Sequence, residues 1–325
     1  MAGRLSQAVD GGILTIPQGE LLVLNAGSES DLLRLDPKRS IVHARSASAD
    51  AHWTANGWSN GAPRQTLSGA VLFLPRARNA QRASLKFARE LTTGPIVIDG
   101  AKVDGIDAFY REVRSRAGVS DAWAKAHGKV FTVEGGEFSD WPDWGIRKDD
   151  DGFWRAPGVF SETGVDKASA LLADALPALK GVVIDLGAGW GYLSKSVLES
   201  DLPTQVHLVE DDGLAIRAAN SNISDKRAIF HWADALTWQI DGLADHVVSN
   251  PPFHQSRRPD PTLGQAFIRA AARLLKPKGH LWLVANRHLP YERTLRETFK
   301  DVRTLGETNQ FKLFNATQPK KPRKG

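Results

Sequence analysis

Short apolar runs alternate with longer amphipathic segments in the second half of this chain, and this alternation limits its fold more than any other feature. The apolar runs cover residues 182–186, 206–209, 246–249 and 280–285. Between them, residues 167–179 and 267–275 carry apolar side chains three and four positions apart, as amphipathic helices do. Strands that alternate with helices form a parallel sheet covered on both faces, so the sequence predicts an α/β, doubly wound domain.

The first half of the chain shows a weaker version of the same layout. Its apolar runs cover residues 21–24, 41–44, 71–74 and 96–99. When the two sets are aligned, the paired positions are Asn25 with Asp185, Arg45 with Glu210, and 74–76 with 250–252. The match favours an internal duplication whose first copy has lost its polar residues, over a chance pairing of two α/β domains. We therefore expect two tandem doubly wound, Rossmann-like domains, the first of them degenerate.

The length of 325 residues suits two domains, and local composition indicates where they divide. The predicted segments are a first domain at 1–134, a linker or hairpin rich in Trp, Asp and Gly at 135–156, a second domain at 157–318, and a basic tail at 319–325. The net charge is +5, and the last residues, PKKPRKG, are strongly basic. Such charge steers a protein toward polyanions, although a short basic tail is also common as a solvated chain end.

The chain contains no cysteine, which excludes disulfides, thiolate metal sites and thiol nucleophiles. No stretch approaches the roughly 20 uninterrupted apolar residues of a membrane-spanning helix, and the first residues lack the apolar core of a signal peptide. We therefore expect a cytoplasmic protein that has no membrane partner.

A glycine loop follows the strand predicted at 182–186. Its residues are Asp185, Gly187, Ala188, Gly189, Trp190 and Gly191. Glycine lets the backbone pass close to a ligand and turn sharply into a helix. The dinucleotide pattern G-x-G-x-x-G would need glycine at position 192 or 194, which hold Tyr192 and Ser194. The spacing D-x-G-x-G-x-G better fits an S-adenosylmethionine site whose acid holds the methionine ammonium, the alternative being a purely structural turn.

Further acids follow the next two predicted strands. Glu210 ends the second apolar run, where a carboxylate can accept both ribose hydroxyls of a nucleoside. Because Asp211 and Asp212 follow directly, either of these neighbours could be the ribose-binding acid instead. Asp234, beside Ala235, follows the third predicted strand and can accept from an adenine amine. Each of these acids could instead be a solvated loop carboxylate.

The run at 246–249 ends in Asn250-Pro251-Pro252-Phe253. Two prolines cannot continue a central strand, so the chain leaves the sheet there with nearly fixed geometry. The side-chain oxygen of Asn250 and the carbonyl of Pro251 are then two rigid acceptors. Acceptors that bind the hydrogens of an exocyclic amine stabilise the positive charge that develops during transfer. An ordinary loop with a buried aromatic is the alternative.

Phe253 offers a flat face for a nucleobase, a contact of roughly 1 to 3 kcal/mol. A base stacked in a duplex cannot reach such a pocket, so the target is expected to be unpaired or flipped out. A sulfonium-bound methyl group is already activated, so no metal is expected to be needed. Methylation at a pyrimidine carbon ordinarily requires a cysteine adduct, which favours nitrogen as the target here.

These residues resemble the bacterial ribosomal-RNA guanine-N2 methyltransferases of the methyltransferase small family, most of all the small-subunit (16S) enzyme. The segments that carry the resemblance are 157–161 (PGVFS) with Gly164 and Asp166, 185–191, 250–254 (NPPFH), 284–286, 289–291, 297–299 and 311–312. They span most of residues 157–314. The bulky Trp190 within the glycine loop departs from the family pattern.

The resemblance implies two methyltransferase-like domains of which only the second binds S-adenosylmethionine, while the first serves substrate binding and folding. It also implies that Phe160 and Ser161 line the cofactor pocket. Arg45, Arg76 and Arg78 would suit RNA phosphate, or else are surface arginines.

The implied reaction is methyl transfer to the N2 amine of a guanine in 16S rRNA, with ribosomal RNA or a ribosomal subunit as the partner of a monomeric enzyme. Two alternatives remain. One is methylation of another amine, such as DNA adenine N6 or protein glutamine N5. The other is a non-catalytic RNA-binding factor with the same fold.

Overall fold

The computed structural model describes residues 3–61, 66–252 and 261–320, and these form two units, each built on one main sheet. The first unit comprises Met1–Gly145 and Ala156–Gly158, and the second comprises Ile146–Arg155 and Val159–Gly325. The segment 135–156 is thus divided between the units. Among the described residues, no helix combines the length and apolarity needed to cross a membrane.

The sheet of the first unit is parallel at its centre. Its strands are β1 (Leu21–Leu24), β2 (Ser40–His43), β3 (Ser59–Asn60), β4 (Gly69–Phe73), β5 (Ile96–Ala101), β6 (Gly118–Val119), β7 (Trp123–Lys125) and β8 (Gly128–Glu134). Its helices are α1 (Arg4–Asp10), α2 (Ala47–Ala55), α3 (Arg78–Leu91) and α4 (Ile106–Arg114). The strand order is β3-β2-β1-β4-β5-β8-β6, with β8 antiparallel to β5 and β7 paired to β8.

The second unit begins with a short antiparallel hairpin and continues into its own sheet. Its strands are β9 (Arg147–Lys148), β10 (Trp154–Arg155), β11 (Gly181–Leu186), β12 (Pro203–Glu210), β13 (Ala228–Trp232), β14 (Ala244–Ser249), β15 (Leu275–Asn286), β16 (Phe299–Glu307) and β17 (Phe311–Pro319). Its helices are α5 (Lys167–Ala175), α6 (Tyr192–Val197), α7 (Gly213–Asn222), α8 (Pro261–Leu274) and α9 (Tyr291–Thr298). The sheet order is β13-β12-β11-β14-β15-β17-β16, with β15 antiparallel to β17.

The two sheets have the same strand order, because β1, β2, β3, β4 and β5 take the places of β11, β12, β13, β14 and β15. In both sheets, an antiparallel strand (β8 or β17) pairs with the fifth strand, and a further antiparallel strand (β6 or β16) lies at the edge. The prediction of two tandem doubly wound domains is confirmed. Each of the eight apolar runs coincides with a strand of these sheets, although Ala44 and Leu74 lie one residue past the ends of β2 and β4.

The structure corrects several predicted element boundaries. The helix expected over 167–179 ends at Ala175, because Leu176 precedes Pro177 and takes an extended conformation. The strand expected over 280–285 begins at Leu275 instead, since it also pairs with the start of β14. Strand β17 continues through Pro319, which was expected to begin the basic tail, and residues 321–325 lie outside the described part of the chain.

Alternate residues of β11 point to opposite faces of the second sheet. Val183 lies in a core with residues of α5, α6 and α7, whereas Ile184 lies in a core with residues of α8 and α9. Both residues are fully buried, as expected for central parallel strands covered on both sides. This alternation directs Asp185 to the same face as Val183, toward α6. Because β11 to β14 are parallel, their carboxyl ends meet at one edge of the sheet, and the predicted motifs begin there.

Candidate cofactor and substrate site

A pocket opens at this edge of the second unit, beside the ends of β11 and β14. Its lining residues are Phe160, Ser161, Asp166, Ser169, Gly187, Ala188, Gly189, Trp190, Tyr192, Leu193 and Asn250. The pocket thus brings together three separate stretches that the sequence singled out: the segment after Pro157, the glycine loop, and the Asn-Pro-Pro turn. The predicted residues Asp185, Gly191, Glu210, Asp211, Asp234, Ala235, Pro251 and Pro252 do not line it.

The glycine loop has left-handed backbone conformations at alternate positions. Gly191 has a φ of 90°, and a Cβ added there would lie 3.0 Å from Cδ1 of Ile223, the residue that follows α7. Gly189 has a φ of 56°, yet a Cβ added there would meet nothing within 4 Å. Gly191 is therefore required by backbone conformation and packing together, whereas Gly189 borders open space through which a ligand can approach the backbone.

The first three N–H groups of the glycine loop are bound by the protein itself. Those of Gly187 and Ala188 donate to the carbonyl of Val209 at 2.9 and 3.1 Å. That of Gly189 donates to Oε2 of Glu210 at 2.8 Å. A pyrophosphate site needs free N–H groups and an absence of negative charge. This loop offers the opposite, which agrees with the rejection of the dinucleotide pattern.

Glu210 connects the end of β12 to the glycine loop. Its Oε1 accepts the N–H of Asp212 at 2.8 Å, in addition to the bond from Gly189 to Oε2. Burial raises the pKa of Glu210 to about 7, against the lowering effect of these N–H groups. A carboxylate has about four acceptor positions, so two remain for hydroxyls of a ligand. Asp212, two residues further on, caps α7 by accepting from the N–H of Leu214.

Asp185 lies under the loop and is fully buried. Its Oδ2 accepts from the N–H and the hydroxyl of Ser194 at 3.1 and 2.8 Å, which anchors the first turn of α6. Its Oδ1 has no hydrogen-bond partner among the described residues. Burial raises the pKa of Asp185 to about 7. A buried acceptor without a partner is costly unless a ligand or a water completes it.

The remaining acids of the predicted set lie in turns. Asp234 follows the end of β13 by two residues, and its Oδ1 accepts from the N–H of Leu236 at 2.9 Å. Ala235 beside it is buried. The carbonyl of Asp211 accepts from the indole N–H of Trp232 at 2.7 Å, and Trp232 is 43% exposed.

Asn250 lies just after the end of β14, and the nitrogen and oxygen of its carboxamide have different surroundings. Its Nδ2 donates to Oδ2 of Asp166 and to Oγ of Ser169, each at 2.9 Å. Its Oδ1 is buried and has no hydrogen-bond partner among the described residues. Pro251 is buried and Pro252 is exposed. Phe253, the predicted base-stacking residue, lies outside the described residues.

The segment before α5 forms the outer wall of the pocket. The ring of Phe160 is more than half exposed, and its carbonyl accepts from the indole N–H of Trp190 at 3.1 Å. Ser161 has a φ of 59°, and its hydroxyl donates to the carbonyl of Gly164 at 2.8 Å. Trp190, the departure from the family pattern, therefore ties the glycine loop to this wall.

Trp190 is itself held in place by contacts with Arg155 and Asn222. The guanidinium of Arg155 lies 4.3 Å from the centre of its ring, and Asn222 donates to its carbonyl at 2.9 Å. Arg155 is almost fully buried and pairs with Asp149 and Asp151. Sequence reasoning gave no role to Arg155 or Asn222. Their distance along the chain from Trp190 left no local pattern to detect.

In the first unit, the positions aligned with the site are engaged in structural contacts. Asn25 donates to the hydroxyl of Ser84 at 2.9 Å. Arg45 donates to the carbonyl of Pro157 at 2.7 Å, and Arg78 pairs with Glu112 at 3.0 Å. Arg76 is exposed. Of the three arginines for which the sequence left open RNA-phosphate binding or a surface position, two thus have intramolecular partners.

The second sheet, its glycine loop and the Asn-Pro-Pro turn together define an S-adenosylmethionine-dependent methyltransferase. The residues present fit this cofactor, because the backbone at Gly189 borders open space and the buried Oδ1 of Asp185 can accept from an ammonium group. Residues 151–315 match the family model described as "Methyltransferase small domain". The chain belongs to the methyltransferase small family.

Named relatives and one solved structure resemble the chain over most of its length. A ribosomal RNA small subunit methyltransferase C from Hahella chejuensis is 33% identical over 76% of this chain and 77% of that protein. The protein of the same name from Shewanella loihica is 29% identical over 77% of each chain. A T. thermophilus 16S rRNA N2 methyltransferase, solved with AdoMet and guanosine, has a TM-score of 0.77 and 26% identity, covering 94% of this chain and 90% of that one.

Other relatives match over a shorter span. The Shewanella amazonensis protein of the same name is 33% identical, but the match covers 48% of this chain and 46% of that relative. The chain thus spans about half the length of several relatives that it matches.

Proposed function

We propose that this protein transfers the methyl group of S-adenosylmethionine to the exocyclic N2 amine of a guanine in ribosomal RNA, with 16S rRNA as the favoured substrate. The observation that carries the proposal is the buried Oδ1 of Asn250, an acceptor without a partner among the described residues, in the same pocket as the glycine loop. The names of the relatives and the guanosine in the T. thermophilus complex support this choice of substrate.

The cofactor would be held by the end of β11 and its neighbours. Asp185 would accept from the methionine ammonium through Oδ1, and Glu210, with Asp211 next to it, would accept from the ribose. Asp234 and Ala235 would border the adenine. The remaining proposed cofactor contacts are Phe160, Ser161, Gly187, Ala188, Gly189, Gly191 and Asn250.

When bound, the cofactor supplies a methyl group on a sulfonium, which is already activated for transfer. The residues of this chain then need only align the acceptor amine and stabilise its developing charge. Oδ1 of Asn250 and the carbonyl of Pro251 would accept the two hydrogens of that amine. Pro252 would keep the turn rigid, and Phe253 would stack on the base. The first unit would serve substrate binding, as the resemblance implies.

Replacing Asn250 with Ala tests the proposal. Transfer of label from S-adenosylmethionine to small ribosomal subunits or to free 16S rRNA should fall by about 100- to 1,000-fold, the loss typical for one preorganised charge-stabilising group. The affinity for the cofactor, measured by calorimetry, should change far less, because Asn250 is one of many proposed cofactor contacts, whereas its Oδ1 is one of only two proposed acceptors for the amine. An N250A variant that keeps substantial activity would contradict the role assigned to the carboxamide.

Product mapping separates the proposed substrate from its alternatives. Digestion of the labelled RNA should yield N2-methylguanosine, whereas label in DNA or in protein would identify a different acceptor amine. Binding of RNA without binding of S-adenosylmethionine would indicate a non-catalytic factor. The monomeric state and the cytoplasmic location stay predictions of the sequence.

A further inference from the structure

The carboxamide of Asn250 has one orientation that its neighbours permit. Oδ2 of Asp166 lies 2.9 Å from Nδ2 of Asn250. A carboxylate offers acceptors only, so the atom facing it must be the donor. Rotating the carboxamide by half a turn would place its oxygen against the carboxylate and lose both bonds from Nδ2. The carboxylate of Asp166 thus fixes Nδ2 of Asn250 on its own side, so Oδ1 must point away from Asp166.

The same oxygen of Asp166 is held in place by the helix that it caps. Asp166 is the N-cap of α5, and its Oδ2 accepts the N–H of Ser169 at 2.8 Å. The hydroxyl of Ser169 is the second acceptor for Nδ2 of Asn250. One turn of backbone therefore fixes both partners of the amide, although they lie more than 80 positions before Asn250 in the chain.

Burial makes the wrong orientation of the Asn250 amide energetically costly. Asn250 and Ser169 are both buried, and Asp166 borders the pocket. Water has little access to compensate a misoriented amide, so an acceptor facing an acceptor would be costly there. A reacting group misplaced by about 1 Å loses roughly a hundredfold in rate, which makes the orientation of this amide relevant to catalysis.

We propose that Asp166 is a positioning residue for methyl transfer: as the N-cap of α5, it holds Nδ2 of Asn250 and thereby turns Oδ1 toward the acceptor amine. Ser169 assists through its hydroxyl. The inference rests on the proposed function in that Asn250 is taken to bind the amine. Asp166 acts through Asn250 and makes no bond to the reacting atoms.

Three variants of Asp166 separate helix capping from amide positioning. In Asp166→Ser, the hydroxyl can still cap α5, since Ser is a favoured N-cap, but the side chain is too short to reach Nδ2 of Asn250. In Asp166→Asn, the amide oxygen can both cap the helix and accept from Nδ2. Asp166→Ala loses both bonds. Ser46→Ala, which removes the N-cap of α2 in the first unit, is the control for capping alone.

The kinetic readout is kcat at saturating cofactor and RNA, together with the Kd for S-adenosylmethionine. We expect D166S to lower kcat by about 10- to 100-fold with an unchanged Kd. D166N should remain within about threefold of the wild type, because an acceptor is retained. The proposal is overturned if D166S keeps the wild-type kcat, if D166N is as slow as D166S, or if the loss is confined to cofactor affinity.

A second readout does not depend on activity. The side-chain amide signal of Asn250 in a ¹⁵N-correlated NMR spectrum can be assigned by its loss in Asn250→Ala. Its proton shifts should change in D166S and stay close to the wild type in D166N and S46A. An unchanged signal in D166S would refute the positioning role even if the protein methylates no RNA. Failure of the wild type to methylate rRNA, with the expected NMR changes, would instead count against the proposed function.

Discussion

Replacing Asp185 with Asn should make the cofactor-free protein more stable at alkaline pH while weakening its binding of S-adenosylmethionine. The amide oxygen of Asn can retain both bonds from Ser194, and the substitution removes a buried carboxylate whose Oδ1 has no partner among the described residues. The wild-type residue is thus expected to lower stability in exchange for a ligand contact, as residues of functional sites commonly do.

The pKa of Asp185 determines both the sign and the size of this effect. It is raised by burial from its ordinary value of 3.8 to about 7. The folded protein therefore binds more protons than the unfolded chain between these values, so stability decreases as pH rises through that range. At about 1.4 kcal/mol for each pKa unit, complete ionisation costs the fold about 4 kcal/mol, of which roughly 2.5 kcal/mol falls between pH 5 and pH 8.

Urea unfolding of the cofactor-free wild type and D185N at pH 5 and pH 8 measures this difference. The stability of D185N relative to the wild type should increase by roughly 2.5 kcal/mol over that interval, with equal urea dependence in the two proteins. Glu210 titrates in both proteins and cancels. Asp225→Asn is the control without pH dependence in this interval: Arg227 lowers the pKa of Asp225 to about 2, so this carboxylate is ionised in the folded and the unfolded chain at both pH values. A stability difference between D185N and the wild type that does not change with pH would refute the reasoning.

Two further substitutions test the walls of the pocket. Gly191→Ala should destabilise the protein by about 1 to 3 kcal/mol, because a side chain would be strained at a φ of 90° and would press on Ile223, and unchanged thermal unfolding would contradict this. Trp190→Phe should keep an aromatic ring in the core but lose the bond to the carbonyl of Phe160, so calorimetry should show a several-fold weaker Kd for S-adenosylmethionine. An unaltered Kd would show that this bond does not shape the pocket.

Most of the fold could be predicted from local sequence patterns. The central strands of both sheets read as apolar runs because parallel strands are buried on both faces. The strands β3, β6 and β7 have only two or three residues and lie mainly at exposed positions, so they carry no such pattern. The predicted helix after Asp166 was too long because apolar spacing continued past the proline that ends it.

What the sequence alone determined is the chemistry available at each strand end. The glycine spacing after β11 and the Asn-Pro-Pro turn after β14 are local, so they could be identified without coordinates. The tertiary structure alone decided which of these groups already have hydrogen-bond partners within the protein. Glu210 binds the N–H of Gly189, and Asp166 orients Asn250, because parallel strands and the helix before them bring together residues far apart in the chain. Hydrogen-bond partners at such separations leave no periodicity in a single sequence, so only the folded chain reveals them.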